Sequence, residues 1–372
     1  MGPPVLTGEM GGRSPGNLRW QTGHWRTSRT TGTLADVQRL SILKTAIAAL
    51  VAVAFIAGAA PRTVAETPVP RGEAALATYA DSLPPAPETI SLLGDSLVAP
   101  ALPDSTRQRY EKQLAAAQND FDHHPHEAST AIWLGRRLAY LGRFREAIAV
   151  YSTAIEDHPD EPRLLRHRGH RYLTLRMFPL AISDLERASR LMAKRMDETE
   201  PDGLPNARNI PTTTLKFNIW YHLGLARFLS GDLEGARLAY RACRKVSTNP
   251  DMRCATAYWS YITLICLRRE GEARGVLKPI RGDMDVIENR SYQRLCLMFR
   301  GDLPPDSVLT PGSAPIDDAT IGYGVGVWNI LHSRSSEAER VYRRVVAGTP
   351  WPAFGHIAAE AELRRFRDAR EH

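Results

Sequence analysis

Histidine is the residue type here with the plainest capacity for chemistry, and it comes in two groups. His123, His124 and His126 fall in one four-residue window, while His167 and His170 stand three apart. On a helix the second pair would share a face and suit a single ion. Neither group has an acid or a cysteine at ligand spacing, and the first flanks Pro125, where polar side chains solvate and cap a turn. Both are therefore expected to be structural, with no metal and no cofactor. The cysteines Cys243, Cys254, Cys266 and Cys296 form no C-x-x-C pair and no haem attachment site. A buried thiol is the default for Cys243, and a disulfide to Cys254 across the intervening turn is the alternative for an exported chain. No phosphate loop and no G-x-S-x-G nucleophile elbow occurs. The run Gly322-Tyr323-Gly324-Val325-Gly326 imitates a dinucleotide fingerprint, but it follows no strand, so its glycines are expected to serve close helix packing. Asp283 and Asp285 read as turn and N-cap residues. No catalytic constellation emerges, and an enzyme is not expected.

The elements that would position any such site are helices. From residue 105 the apolar residues recur with a helical period. Between Ala128 and Glu161, Leu134, Gly135, Gly142, Phe144, Ala147, Tyr151, Ala154 and Pro159 describe two antiparallel helices. Small residues sit where backbones meet, large ones fill the gaps, and a glycine makes the turn. The pattern restarts 34 residues later with Leu165, Gly169, Phe178, Ala181, Leu185 and Ala188. It returns with Leu223, Gly224, Gly231, Ala236, Tyr240 and Cys243. A weaker copy has Ala257, Leu264, Ala273 and Leu277, and a last one Gly322, Gly326, Ala338, Tyr342 and Pro350. The expected fold is all-α, a helical-hairpin solenoid of about five repeats near 128–161, 162–194, 217–250, 254–281 and 319–350. Insertions at 195–216 and 282–318 interrupt it, the second holding an extra helix over 287–300. Lone helices over 107–121 and 353–370 are expected to cap the array.

Charge argues against a nucleic-acid partner. The formal net charge is +7, but residues 1–65 account for +5 of it and the other 307 residues for +2. Residues 1–43 read as a basic disordered leader. Residues 44–65 contain an uncharged run, 45–60, between Lys44 and Arg62, which reads as a signal peptide or an uncleaved membrane anchor. Small residues at 57–59 and 63–65 suit cleavage, and Pro61 argues for retention. Residues 66–104 are a proline-rich linker, with a short apolar stretch at 89–94 suited to docking on the body. An exported domain, periplasmic or held at the inner membrane, is the expectation, with 105–372 outside the cytoplasm.

The spacing over 105–372 resembles bacterial tetratricopeptide-repeat proteins, and the stretches EPDGLPNARNIPTTTLKFNIWYHLGLA and AFGHIAAEAELRR resemble an exported subfamily without an assigned activity. The resemblance implies a non-enzymatic scaffold that takes a protein or peptide in a concave groove lined by the first helix of each repeat. Carried onto this sequence, the groove positions are Arg136 and Tyr140, then Arg163, Arg166 and His170, then Asn218, Tyr221 and Phe228, and finally Tyr258 and Tyr323. Such a floor runs from cationic to aromatic and would suit a segment with an acidic and an apolar end. Two other readings remain: an enzyme or metal-binding protein with its site between the 195–216 insertion and the groove, and a homo-oligomeric assembly module. Arg168 departs from the repeat pattern at a position that is ordinarily apolar, which calls for a local salt bridge or weakens that copy.

Overall fold

Residues 86–308 and 315–371 are described by a computed structural model of the chain. The segments 1–43 and 45–60, and most of the linker, lie outside them. A small antiparallel hairpin, β1 (Thr89–Ile90) and β2 (Ser96–Leu97), comes first, with Thr89 opposite Leu97. Helices then follow to the end of the described chain: α1 (Asp104–His123), α2 (Ala128–Tyr140), α3 (Phe144–Asp157), α4 (Pro162–Thr174), α5 (Phe178–Leu191), α6 (Leu215–Ser230) and α7 (Leu233–Val246). After them come α8 (Pro250–Cys266), α9 (Glu270–Leu277), α10 (Arg290–Arg300), α11 (Pro305–Val308), α12 (Pro315–Leu331), α13 (Ser335–Val346) and α14 (Phe354–Glu371).

Five helix pairs obey one rule. The pairs α2–α3, α4–α5, α6–α7, α8–α9 and α12–α13 each turn through a residue with left-handed backbone: Gly142, Arg176, Gly231, Arg268 and Ser333. Five residues beyond each turn lies an alanine, Ala147, Ala181, Ala236, Ala273 and Ala338, every one fully buried. Two glycines fill the turn without strain, whereas two arginines and a serine adopt it at a cost of ~1 kcal/mol or more each. The second helix then crosses a small residue of the first. Gly135 meets the Tyr151 ring, Gly224 the Tyr240 ring, and Gly326 the Tyr342 ring. In the second copy Gly169 meets Leu185, while in the fourth Tyr261 stands where the others have glycine and Leu277 holds the paired position. This is the expected all-α helical-hairpin solenoid, with the repeat marks in three dimensions.

A Cβ at Gly224 would stand 2.5 Å from the Tyr240 ring. Gly224→Val should therefore cost ~1–3 kcal/mol by overpacking. Gly275→Ala, where nothing lies within 4 Å in α9, should instead add ~0.4–1 kcal/mol. Urea midpoints of the two variants check the contrast in sign.

Helix starts follow their caps. Thr214 accepts from the Phe217 N–H, Asp232 from Gly235 at 2.9 Å, and Asn249 from Met252 at 2.9 Å. Asp251, almost fully buried at the start of α8, accepts the N–H groups of Ile287, Glu288 and Asn289 at 2.7–3.0 Å. That carboxylate holds 287–289 as a loop, which is why the extra helix begins at Arg290 and not at 287. The stretch at 89–94 does dock on the body: Thr89 donates to the Leu175 carbonyl, and the Leu92 N–H donates to Glu360. Arg168 forms a bidentate pair with Asp184 at 2.7 and 2.8 Å, so the odd residue of the second copy is compensated locally.

Candidate functional site

The face built by the first helices was the expected binding groove, and in the structure the chain's own segments cover it. At its N-terminal end the 195–216 insertion crosses the arginines. Arg136 donates to the Pro201 carbonyl at 2.8 Å and Arg137 to the Gly203 carbonyl at 2.9 Å. The Tyr140 hydroxyl abuts Gly203. Glu200, buried, pairs with Arg166 at 3.0 Å, lies 3.4 Å from His167, and accepts from the Asn218 amide at 2.8 Å. A backbone stretch carrying Glu200 and Asp202 thus sits on the face expected to take an acidic partner segment. Arg163 turns to Glu161 at 2.7 Å, in its own helix cap. The Glu200 amide, which donates to the Thr213 carbonyl at 3.1 Å, should exchange its hydrogen only when the fold opens globally; fast exchange there would place the segment off the arginines.

In the middle of the face α14 takes over. The Phe354 ring lies 5.4 Å from His170, 5.6 Å from His222 and 6.2 Å from Tyr221. His170 and His222 pack with centroids 4.2 Å apart, and His167 stacks on Tyr151. Burial, reinforced by the charges of Arg166 and Arg171, pushes all three imidazoles well below their usual range, so they are neutral. Beyond them α10 covers the aromatic end. Tyr292 bonds Tyr221 at 3.0 Å and packs 4.9 Å from Tyr258, while Phe299 stacks on Tyr261.

Four groove residues must be reassigned. Phe228, Tyr258 and Tyr323 are 2% exposed or less, and Tyr221 is 7% exposed. They belong to the core, because Trp259 lies between them, donating to the Tyr221 hydroxyl and packing on the Phe228 and Tyr323 rings. Asn218 is likewise buried and spent on Glu200 and Thr213. The Cys243–Cys254 bridge is not formed: all four cysteines are free and buried. The Cys243 sulfur faces the Thr256 hydroxyl at 3.2 Å, and Cys254 lies against Cys296. Burial raises the Cys243 and Cys254 thiols to about 12, which withholds the reactive thiolate.

Residues outside the sequence-based set carry much of this face. Arg171 is half-buried against Phe144 with its guanidinium 5.5 Å from that ring, and desolvation beside Arg166 and Arg136 lowers it to about 10. Arg176 and Glu360 form an ion pair at 2.5 Å, 3% and 0% exposed. Arg176 had a sequence signal, since it stands at the turn position that glycine holds in the first and third copies. Glu360 had one too, as an acid inside the small-residue run of AFGHIAAEAELRR. Glu200 had none, because loop sequence has no period to place it. Among the described residues no group of three His, Cys, Asp or Glu is arranged to hold a metal.

No family model matches the chain, and no curated protein matches it. Solved structures similar to it include a tetratricopeptide repeat protein from Parabacteroides merdae, at TM-score 0.42 and 13% identity over 70% of this chain and 93% of that one. Another is YrrB, described as a TPR protein with an unusual peptide-binding site, at TM-score 0.35 and 14% identity over 68% of this chain and 98% of that one. MamA is similar at TM-score 0.33 and 18% identity over 46% of this chain and 85% of that one. The structural neighbours of this helical-hairpin array thus include tetratricopeptide-repeat proteins.

Proposed function

We propose that this chain is a non-enzymatic protein-binding scaffold of the cell envelope, carried there by residues 45–60 and engaging its partner outside the cytoplasm. The observation that supports the scaffold reading is how the distinctive side chains are spent. His167, His170 and His222 are packed into the body and held neutral, the four cysteines are buried, and the first-helix arginines hold the chain's own carbonyls and acids. On the outer helix α7, by contrast, Arg241, Arg244 and Lys245 stand exposed without a carboxylate partner among the described residues. Unpaired cations on a rigid repeat surface recognise macromolecules more readily than they perform chemistry.

The partner would therefore be met on the outer helices, not in a first-helix groove that is already filled. Photo-crosslinkers placed on α7 and on α4, in the full chain in its native envelope, test this. A defined crosslinked species from α7 and none from α4 is the expected result; the reverse would restore the groove. For the location, a C-terminal reporter active only outside the cytoplasm should be active, and a silent one rejects export.

A further inference from the structure

We infer that the cleft between α5 and α7, floored by α6, is the docking site for an acidic peptide segment that presents one large apolar side chain. This rests on the scaffold reading and gives it a surface and a ligand chemistry.

The cleft has a volume of about 320 Å³, enough for one or two side chains and at the small end of ligand-sized pockets. Its floor is apolar: Met192 at the end of α5, Ile219 and Trp220 on α6, and Val246 at the end of α7. Trp220 is only half-buried, so part of the indole is open to a visitor. Its rim is cationic, with Lys216 from α6 and Lys245 from α7 lining it. Lys194 follows the lining residue Ala193, and Arg241 lies one turn before Lys245 on the same face of α7.

Two features separate this rim from an ordinary solvated face. The chain has only six lysines, and three of them, Lys194, Lys216 and Lys245, gather here. Elsewhere arginines are largely paired: Arg237 with Glu234, Arg227 with Glu186, Arg269 with Glu234. Here none of Lys194, Lys216, Arg241 and Lys245 has a carboxylate partner among the described residues. Asp197 is committed to the start of α6, accepting from the Lys216 and Glu198 N–H groups and the Thr214 hydroxyl. The unmatched positive charge surrounds an apolar hole. The complement is a carboxylate on either side of a Leu-, Met- or Phe-sized side chain.

The probe is a fluorescein-labelled peptide with a central Leu-Phe pair between runs of glutamate. Two controls replace Glu by Gln or the Leu-Phe pair by alanines. Anisotropy on the full chain should show saturable binding of the first peptide, at least tenfold weaker binding of the Gln control, and weaker binding of the alanine control. Lys216→Glu with Lys245→Glu should weaken the first peptide at least tenfold with an unchanged circular dichroism spectrum. Raised salt should weaken it as well.

Equal binding by wild type and the double variant, or no saturable binding of the Leu-Phe peptide, overturns the inference. So does binding of anionic vesicles in place of the peptide, lost in the same variant, which would make the rim a lipid-facing surface. If crosslinking from α7 captures a partner that the double variant still captures, the scaffold reading stands and this cleft falls.

Discussion

Acidification from pH 7 to pH 5.5 is expected to cost this fold several kcal/mol, with up to three protons taken up on unfolding. The groups are His167, His170 and His222, which burial and the neighbouring arginines push well below the ordinary histidine value of 6.5. Each is neutral in the folded chain, while in the unfolded chain each binds a proton below about pH 6.5. The unfolded state therefore carries more protons in that window. The stability these groups contribute is fully present above the unfolded pKa and is lost as pH falls below it toward the folded values. One proton is worth ~1.4 kcal/mol per pH unit, so three titrating together give a slope of ~4 kcal/mol per unit. Against a total stability of ~5–15 kcal/mol that is a large fraction. Urea midpoints at pH 7, 6.5, 6 and 5.5 measure it, and His222→Phe should remove about one proton from the slope. A midpoint that is flat between pH 7 and 5.5 would show that protons reach these imidazoles without unfolding.

The acid sensitivity has its origin in a part of the molecule that the repeat pattern only half reveals. The pattern places His167 and His170 on α4 because a helix with period 3.6 must carry 167 and 170 toward one side. It also places the glycine and alanine contacts, since a backbone crossing tolerates few residue types. What it cannot place is the occupant of the face. Glu200 belongs to an insertion without period, and its pairing with Arg166 is a contact between remote positions. Phe354 opens a capping helix with no mark of what it covers, and the acid in that helix's small-residue run sets Glu360 apart without naming its partner Arg176. The aromatic floor misled for a related reason. Tyr258 and Tyr323 stand at first-helix positions that face inward, but α10, which belongs to no repeat, packs Tyr292 over the former. Trp259 stacks on the latter. Local spacing fixes which side a residue faces; only tertiary contacts decide whether that side is wet.

Glu360→Ala is expected to be among the most damaging single changes, at a cost of ~3–5 kcal/mol. The carboxylate is fully buried and gathers three donors: Arg176 at 2.5 Å, the Leu92 N–H at 3.0 Å, and His356 at 3.3 Å. Burial alone would raise its pKa, but the His356 bond and the Arg176 charge outweigh that and hold it below the usual carboxylate value. Its stabilisation is therefore present above about pH 4.5 and lost as pH falls through the lower folded value, a window separate from that of the histidines. Removing it leaves Arg176 buried with a charge and no acid, in a left-handed turn conformation that an arginine adopts only under constraint. The remaining Arg176 hydrogen bonds go to carbonyls, Thr174 at 2.6 Å and Trp351 at 3.0 Å, and its guanidinium lies 5.2 Å from the Trp351 ring. The loss should spread to the hairpin at 89–97, whose Leu92 amide would exchange hydrogen faster. Replacing both partners separates charge from packing: Arg176→Gly with Glu360→Leu removes the strained turn and the buried pair together. That double variant should recover most of the stability lost by Glu360→Ala in urea unfolding. If it is no more stable than the single variant, the pair contributes through its hydrogen bonds to the hairpin and not through charge compensation.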